Sequence, residues 1–266
     1  MNSKLLGVFK KTKSENRAAL IAYVPAGFPT VLKSIELIKV LVANGADIVE
    51  IGFPYSDPLM DGPTIQAAVE IALQNGTKSA DVLKVVEATS QTGAATLVMS
   101  YWNPIAKFGV EKFASELAKH GGIGVITPDL TPEEATSWIQ STNRHAIDRV
   151  FLVAPSSSDV RIKSVTAATT GFVYAASLMG VTGVKSAVSQ TAADLVARTR
   201  QATDLPVCVG LGVSTQTQAC EIAKYADGVI VGSAFIHLIL SNPVFEQGLE
   251  AVARLTRDLA QGVKRI

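Results

Sequence analysis

Short, continuously apolar runs recur along the chain and alternate with segments in which apolar residues have helical spacing. An unbroken apolar run is typical of a strand that is buried on both faces of a sheet. Eight such runs predict strands near residues 19–24, 47–52, 95–100, 123–127, 149–153, 172–176, 206–210 and 228–232. The helical patterns predict helices near residues 31–44, 79–92, 109–120, 132–141, 158–169, 189–202, 215–225 and 244–261.

The regular alternation of strands and helices predicts one parallel sheet. Eight units in a chain of 266 residues fit a single-domain (β/α)8 barrel that spans residues 1–266. A doubly wound open sheet is the alternative, but its usual glycine-rich GxGxxG turn is replaced here by PAGFPT after the first strand. We therefore predict the closed barrel.

Three segments fall outside the regular repeat. The segment before the first strand has an amphipathic pattern and predicts an extra N-terminal helix. Long connections follow strands 2 and 6, at residues 53–79 and 177–189, and the first of them contains a helical pattern near 64–73. Loops that follow the strands of a barrel lie on its catalytic face, so we expect both connections to border a binding site.

Composition and charge restrict which partners the protein can bind and where in the cell we expect it. Hydrophobic residues make up 48% of the chain and the net charge is only +1, which gives no electrostatic reason to bind nucleic acid or an anionic membrane. No stretch reaches the about 20 apolar residues of a membrane span, and the N-terminal apolar patch is too short for a signal peptide. Cys208 and Cys220 belong to no CxxC or Cys/His cluster. We expect a cytoplasmic protein without a disulfide framework or a zinc site.

A carboxylate interrupts the second predicted strand. Glu50 lies in the run Ile48-Val49-Glu50-Ile51, where a charge costs several kcal/mol unless it is paired or neutralised. Apolar surroundings raise the pKa of such a group and let it transfer a proton near neutral pH. The alternative is a structural Glu paired with a basic or hydroxyl group.

The loop after this strand carries further acidic side chains. Asp57 and Asp61 lie among three prolines, where an aspartate is commonly a turn former or a helix cap. One of them could act with Glu50 as the second member of an acid and base pair. The residues alone do not separate the two aspartates.

Glycine-rich segments follow the last three predicted strands and indicate an anion site. They read GVTG at 180–183, GLGVS at 210–214 and VGSA at 231–234. Ser233 would open a short helix, SAFIHLIL, whose N-terminus favours negative charge. The loops after strands seven and eight of a barrel, together with a short extra helix, form a recurrent phosphate site.

Other side chains at predicted strand ends could contact a substrate. Tyr174 ends the run FVYAAS, and its hydroxyl could hydrogen-bond a substrate or simply a partner in the core. A flat apolar slot for an aromatic ring could be lined by Tyr23, Phe53, Met99, Tyr101, Ile126 and Leu152. Ordinary packing of the barrel interior is the alternative for these side chains.

The residues that are absent from strand ends also restrict the chemistry. The three histidines, His120, His145 and His237, lie in helical segments or in the connection before strand five, which disfavours a metal-dependent aldolase. No lysine lies in a predicted strand, and only Lys185 in a long loop could form a Schiff base. Acid and base chemistry on a phosphorylated small molecule, without metal or cofactor, is the remaining expectation.

Several motifs resemble those of a known family. EIGFPYSDPLMDGPTIQ, PAGFPT, PDL at 128–130, GFVYAASLMGVTG, VGLGVS and VGSAF occur in the order found in the tryptophan synthase alpha subunit family and span residues 25 to 235. The resemblance implies a TIM barrel and a carbon–carbon lyase. It implies the retro-aldol cleavage of indole-3-glycerol phosphate to indole and glyceraldehyde 3-phosphate.

The resemblance also implies roles for individual residues. Glu50 matches the general acid and base that protonates indole C3, and Asp61, rather than Asp57, matches the carboxylate that engages the indole N–H. Tyr174 matches a tyrosine near the glycerol chain, and Thr182 a loop threonine that orients Asp61. The phosphate cradle would comprise Gly183, Gly212, Gly232 and Ser233. The ring slot would comprise Tyr23, Met99, Tyr101, Ile126 and Leu152.

The family further implies a partner. A beta subunit that carries pyridoxal phosphate (PLP) would receive indole through a tunnel in an α2β2 assembly, and this chain itself would hold no cofactor. One position departs from some members, which carry Arg where this chain has Leu178. Three alternatives stay open: another phosphate-binding barrel enzyme, a stand-alone indole-3-glycerol phosphate lyase, and a barrel that mainly activates a partner subunit.

Overall fold

The computed structural model describes residues 3–176, 185–210 and 212–265. Its strands are all parallel and form one sheet. They are β1 (Ala19–Pro25), β2 (Ile48–Gly52), β3 (Ala95–Met99), β4 (Gly124–Ile126), β5 (Asp148–Val150), β6 (Leu152–Val153), β7 (Val173–Ala176), β8 (Val207–Gly210) and β9 (Gly228–Val231).

The sheet closes into a barrel through one divided strand. The order of neighbours is β5-β4-β3-β2-β1-β9-β8-β7-β6, and only Phe151 separates β5 from β6 in the chain. β5 pairs with β4 and β6 pairs with β7, so residues 148–153 form one staggered strand that joins the two edges. The backbone N–H of Tyr174 donates to the Phe151 carbonyl at 3.2 Å across this junction. The predicted (β/α)8 barrel is therefore confirmed.

Helices occupy the connections between the strands. They are α1 (Lys4–Ser14), α2 (Val31–Ala43), α3 (Pro63–Gln74), α4 (Ser79–Ser90), α5 (Trp102–Phe108), α6 (Val110–Lys119), α7 (Thr136–Arg144), α8 (Asp159–Ala168), α9 (Lys185–Arg200), α10 (Gln216–Ala223), α11 (Ser233–Leu240) and α12 (Phe245–Gly262). A short 3-10 helix, Pro132–Glu134, precedes α7.

Several helices begin at local sequence signals. Thr30 caps α2 by accepting the Lys33 N–H at 3.2 Å, and Pro63 occupies the first turn of α3, where its missing N–H costs no hydrogen bond. Helix α5 was not predicted, because its run of seven residues is short and contains Pro104. This proline lies in the first helical turn, where it is tolerated.

The barrel interior is sealed at its N-terminal end by α1. Leu5 packs where Gly124 and Gly171 leave space, and Phe9 makes an edge contact with Phe172 at 5.8 Å between ring centroids. Apolar side chains from every barrel strand fill the layers above, namely Ala19, Ile21, Ile48, Ala95, Leu97, Ile126, Val150, Cys208 and Ile230, with Leu152 and Tyr174 packed against them. The other end of the barrel stays open, and this asymmetry locates the candidate site.

A second and larger core lies between the outer face of the sheet and the helices. In the part of the chain that the structure describes, no helix is both long and apolar enough to cross a membrane.

Candidate functional site

A cavity of about 510 Å³ opens at the C-terminal ends of the strands, within the size range of small-molecule sites. Its wall combines the interior of the barrel with the loop between β2 and α3 and the start of α11. The lining residues are Tyr23, Glu50, Met60, Asp61, Gly62, Pro63, Thr64, Ile65, Met99, Tyr174, Gly210, Gly212, Ile230, Gly232 and Ser233.

Glu50 lies at the bottom of this cavity in the middle of β2. Its side chain is fully buried, and neither carboxylate oxygen has a hydrogen-bond partner among the described residues. Loss of solvation raises the pKa of Glu50 to about 8, because burial penalises the charged form. At pH 7 the group is therefore mainly protonated, by roughly ten to one. The described residues thus offer no basic or hydroxyl partner that would make Glu50 a structural pair.

The structure separates the two aspartates of the following loop. Asp57 is exposed, and its carboxylate accepts the Ser56 hydroxyl at 2.5 Å on the outside of the loop. Asp61 lines the cavity together with Glu50. Burial raises the pKa of Asp61, and the nearby Tyr101 hydroxyl opposes that rise. The two cavity carboxyl groups thus have unlike environments, as an acid and base pair requires.

Two tyrosine rings pack over glycine residues at strand ends, in space that a side chain would otherwise occupy. A Cβ on Gly52 would collide with the Tyr23 hydroxyl, and a Cβ on Gly210 would collide with the Tyr174 hydroxyl. Each ring therefore crosses from its own strand over the end of the next one. Burial, and then the negative charge of nearby carboxylates, raise the pKa of both hydroxyls, which remain proton donors at neutral pH.

The opposite wall of the cavity can receive an anion. Gly212 has a left-handed backbone with φ +63°, and Gly232 is the N-cap of α11, with no side-chain hydrogen bond at this cap. Ser233 is the first residue of the helix, whose leading N–H groups have no intrahelical partner. Two further predicted site residues, Thr182 and Gly183, lie outside the described residues.

Only some of the residues predicted to line the ring slot lie in the cavity wall. Tyr23 and Met99 line the cavity. Ile126 is fully buried in the barrel interior, and Leu152 packs against the same interior cluster, so neither is part of the cavity wall. Tyr101 is also outside the wall: it is the N-cap of α5, and its hydroxyl accepts the Met60 N–H at 3.0 Å.

Several cavity residues were not predicted. They are Met60, Gly62, Pro63, Thr64, Ile65, Gly210 and Ile230. Most of them flank Asp61 directly in the segment MDGPTI, so the signal was present in the motif that contains the aspartate. Ile230 points from β9 into the barrel interior and also lines the cavity. Its height in the barrel depends on the register between strands, which the sequence alone does not give.

The described residues contain no group of three or more His, Cys, Asp or Glu side chains that could hold a metal ion. The polar groups that line the cavity are two carboxyl groups, two tyrosine hydroxyls and the backbone N–H groups at the start of α11.

Comparison with known proteins assigns the chain to a family. The sequence model of the family described as tryptophan synthase alpha chain matches residues 9–264. A curated tryptophan synthase alpha chain from Streptomyces avermitilis is 56% identical over 253 residues, which cover 95% of this chain and 91% of the relative. The corresponding protein from Thermobifida fusca is 55% identical over 257 residues, which cover 96% and 95% of the two chains.

Solved structures give the same result. A structure of Mycobacterium tuberculosis tryptophan synthase has a TM-score of 0.93 and 49% identity, and 99% of each chain is covered. A structure of the alpha subunit from Legionella pneumophila has a TM-score of 0.90 and 30% identity, and each chain is covered completely. The resemblance seen in the motifs is confirmed, and the chain belongs to the tryptophan synthase alpha chain family.

Proposed function

We propose that this chain is the alpha subunit of a tryptophan synthase and cleaves indole-3-glycerol phosphate to indole and glyceraldehyde 3-phosphate in the cavity described above. Family membership supports the reaction. The observation that carries the assignment of residues is Glu50, a buried and unpartnered carboxyl group with a pKa of about 8, which shares the cavity with Asp61.

Glu50 supplies the proton that the reaction requires. Cleavage begins when the protonated carboxyl group donates to C3 of the indole ring, which places positive charge at the ring nitrogen. The resulting Glu50 carboxylate then accepts the proton of the C3′ hydroxyl as the C3–C3′ bond breaks and the aldehyde forms. The electron pair of that bond restores the neutral indole, and Glu50 returns to its starting form.

Asp61 stabilises the charge that develops on the ring. Its ionised carboxylate accepts the indole N–H and lowers the energy of the C3-protonated intermediate. The different environments of the two groups support this division of roles: Glu50 is fully buried without a hydrogen-bond partner among the described residues, whereas Asp61 is only partly buried, and the Tyr101 hydroxyl opposes the rise that burial causes in its pKa.

The remaining parts of the cavity hold the substrate. Ser233 and Gly232 present the N-terminus of α11 to the phosphate, and Gly212 lets the backbone approach it closely. Tyr174 contributes a hydroxyl for the glycerol chain, and the Tyr23 ring packs against the indole. Phosphate binding far from the reacting bond helps to keep that bond aligned with Glu50.

Family membership implies a beta-subunit partner. The proposal extends this to an α2β2 assembly in which the beta subunit carries PLP and receives indole. The alpha chain needs no cofactor for its acid and base steps, since Glu50 and Asp61 supply both proton transfer and charge stabilisation.

The decisive experiment measures indole release from indole-3-glycerol phosphate by the purified chain, with and without a beta subunit. Slow release that the beta subunit accelerates would support the alpha-subunit assignment, and fast release by the chain alone would favour a stand-alone lyase. Absence of release in both cases would refute the assigned reaction and favour another phosphate-binding barrel enzyme.

A pair of variants tests the role of Glu50. Glu50→Gln is expected to abolish most turnover while binding of the beta subunit is retained, and the exposed Glu36→Gln on α2 is the matched control. Equal loss of turnover and partner binding in Glu50→Gln would contradict the catalytic role, and would favour a barrel that mainly supports its partner.

A further inference from the structure

We propose that a second cavity, at the N-terminal end of the barrel, binds a small phosphate ester with an apolar body. This N-terminal cavity has a volume of about 620 Å³, and its wall is formed by α1, the segment 203–206 before β8, and residues that precede β1 and β9. It therefore lies at the end of the barrel opposite the cavity that contains Glu50. None of the described residues lines both cavities, so this second site does not depend on the proposed function.

The N-terminal cavity carries an excess of positive charge. Its charged lining residues are Lys10, Lys13, Arg17, Arg200 and Arg265, against Asp204 and Asp227. Arg17 already pairs with Asp47 at 2.6 Å and with Glu15 at 2.7 Å. The other four cations face two carboxylates, which leaves two positive charges in excess at one cavity of a chain whose net charge is only +1. A phosphate monoester carries about 1.5 to 2 negative charges at pH 7 and matches this excess.

Two arginines of the N-terminal cavity are held in place by backbone carbonyls. Arg200 donates through Nη2 to the Tyr225 carbonyl at 3.0 Å and to the Asp227 carboxylate at 2.8 Å. Arg265 donates through Nε and Nη2 to two backbone carbonyls near the end of α10, at 2.8 and 2.9 Å, and its Nη2 lies 4.0 Å from Asp227. The Asp227 carboxylate thus lies between the two guanidinium groups, which keeps both at the same part of the cavity wall.

These bonds leave donors of both guanidinium groups unused. A guanidinium has five N–H groups, and Nε and Nη1 of Arg200 have no hydrogen-bond partner among the described residues. Nη1 of Arg265 likewise has none in the part of the chain that the structure describes. The bonds to backbone carbonyls account for a structural role of both arginines, whereas the unused donors are available to a ligand. Guanidinium groups that are already held in place suit a phosphate, since little side-chain freedom is lost on binding.

The wall of the N-terminal cavity also has an apolar part. It comprises Leu6, Phe9, Leu205 and Pro206. Lys10 and Lys13 share the helix face of Leu6, because they lie four and seven residues further along α1. Both lysines are exposed and form no ion pair with a described residue. A cavity of this volume has room for more than a phosphate group, so the apolar wall favours an ester that carries a ring or a similar apolar body.

Methyl NMR can follow this cavity separately from the cavity that contains Glu50. Leu6 and Leu205 line the first, and Ile65 and Ile230 line the second. Phenyl phosphate, added to the whole chain with ¹³C-labelled Leu and Ile methyl groups, is expected to move the Leu6 and Leu205 signals saturably. Inorganic phosphate should bind here about tenfold more weakly, because it has no ring to bury. Equal binding of the two would overturn the assignment of an apolar ligand body.

A matched pair of double variants tests the charge of the cavity. Lys10→Gln with Lys13→Gln removes two lining cations, and Lys4→Gln with Lys11→Gln removes two exposed cations of the same helix that do not line the cavity. The lining pair should weaken phenyl phosphate binding by about fivefold, whereas the control pair should change it by less than about twofold, since salt screens more distant charges. Arg200→Gln should weaken binding by about tenfold, because it removes a charged donor.

Two results would overturn the inference. One is the absence of a saturable movement of the Leu6 and Leu205 signals, and the other is an equal loss of affinity in the lining pair and the control pair. The lysine variants replace exposed side chains, so they keep the test valid even if Arg200→Gln fails to fold. These measurements need no turnover, so a failure of the proposed reaction would be recognised separately by absent indole release.

Discussion

Replacing Glu50 by glutamine should make the folded protein more stable while it removes activity. The carboxyl group has a pKa of about 8 in the folded chain, against an ordinary value of 4.5 when solvated. Above pH 4.5 the unfolded chain releases this proton, whereas the folded chain keeps it until about pH 8. The free energy of unfolding therefore falls as pH rises through this window, and the loss is complete above the folded pKa.

The size of the effect follows from the two pKa values. Each unit of separation is worth about 1.4 kcal/mol, and nearly the whole interval between pH 5 and pH 8 lies inside the window. Glu50 should thus lower the free energy of unfolding by roughly 3–4 kcal/mol over this range. Glutamine is neutral at every pH and has nearly the same shape, so Glu50→Gln lacks this contribution.

Urea unfolding of the parent chain and of Glu50→Gln at several pH values between 5 and 8 tests the reasoning. The variant should be more stable by about 1 kcal/mol or less at pH 5, and this difference should grow by roughly 3–4 kcal/mol by pH 8. Glu36→Gln on the surface of α2 is the control for a lost carboxylate and should change little with pH. A difference between parent and Glu50→Gln that stays constant with pH would refute a buried, proton-retaining Glu50.

Three further predictions concern activity and stability. Because catalysis begins with protonated Glu50, kcat/KM for indole release should fall about tenfold per pH unit above about pH 8. Gly210→Ala should lower kcat/KM by at least about tenfold, since the new Cβ would displace the Tyr174 hydroxyl; initial-rate kinetics measure this. Asp47→Ala should destabilise the fold by about 2–3 kcal/mol in urea unfolding, because Arg17 loses two hydrogen bonds of 2.6 and 2.8 Å in a largely buried place.

Each of these predictions has its own control. The fall of kcat/KM above about pH 8 should remain in Asp61→Asn, because it reports the titration of Glu50. If the parent chain shows no such fall, Glu50 is not the acid. Gly7→Ala, in a position where an added Cβ meets no atom within 4 Å, should leave kcat/KM unchanged, and an equal effect at both glycines would contradict the steric argument. Glu221→Ala removes an exposed pair with Lys224 and should cost well under about 1 kcal/mol.

The sequence determined the barrel and most of its elements because burial on both faces leaves an unmistakable pattern. Runs such as Ile48–Gly52 and Gly228–Val231 are almost wholly apolar, and the structure places all eight predicted strands in one parallel sheet. The interruption at Glu50 was visible for the same reason, since a charge is conspicuous only where its neighbours must be buried. Helix α5 was not predicted, because a run of seven residues that contains a proline has too little periodicity to indicate a helix.

The tertiary structure decided which side chains meet in space. The residues alone left Asp57 and Asp61 equivalent, and only the path of the loop turns one to solvent and the other into the cavity. Tyr101, Ile126 and Leu152 follow or lie in strands as Tyr23 and Met99 do, yet none of the first three reaches the cavity wall. Strand position gives the face of a side chain, but its height above the barrel depends on stagger between strands and on the neighbours that share each layer.

The chemistry of the site shows the same division. A single sequence position suggested a carboxyl group with a raised pKa, because apolar neighbours in the chain predict poor solvation. The lack of a partner for Glu50 among the described residues, and the hydrogen bond from the Met60 N–H, beside Asp61, to the Tyr101 hydroxyl, depend on residues that are far apart in the chain. Local sequence thus fixed which groups are available and where strands run, while packing of distant segments fixed their charges and distances, because solvation and hydrogen bonding are properties of the surroundings in space.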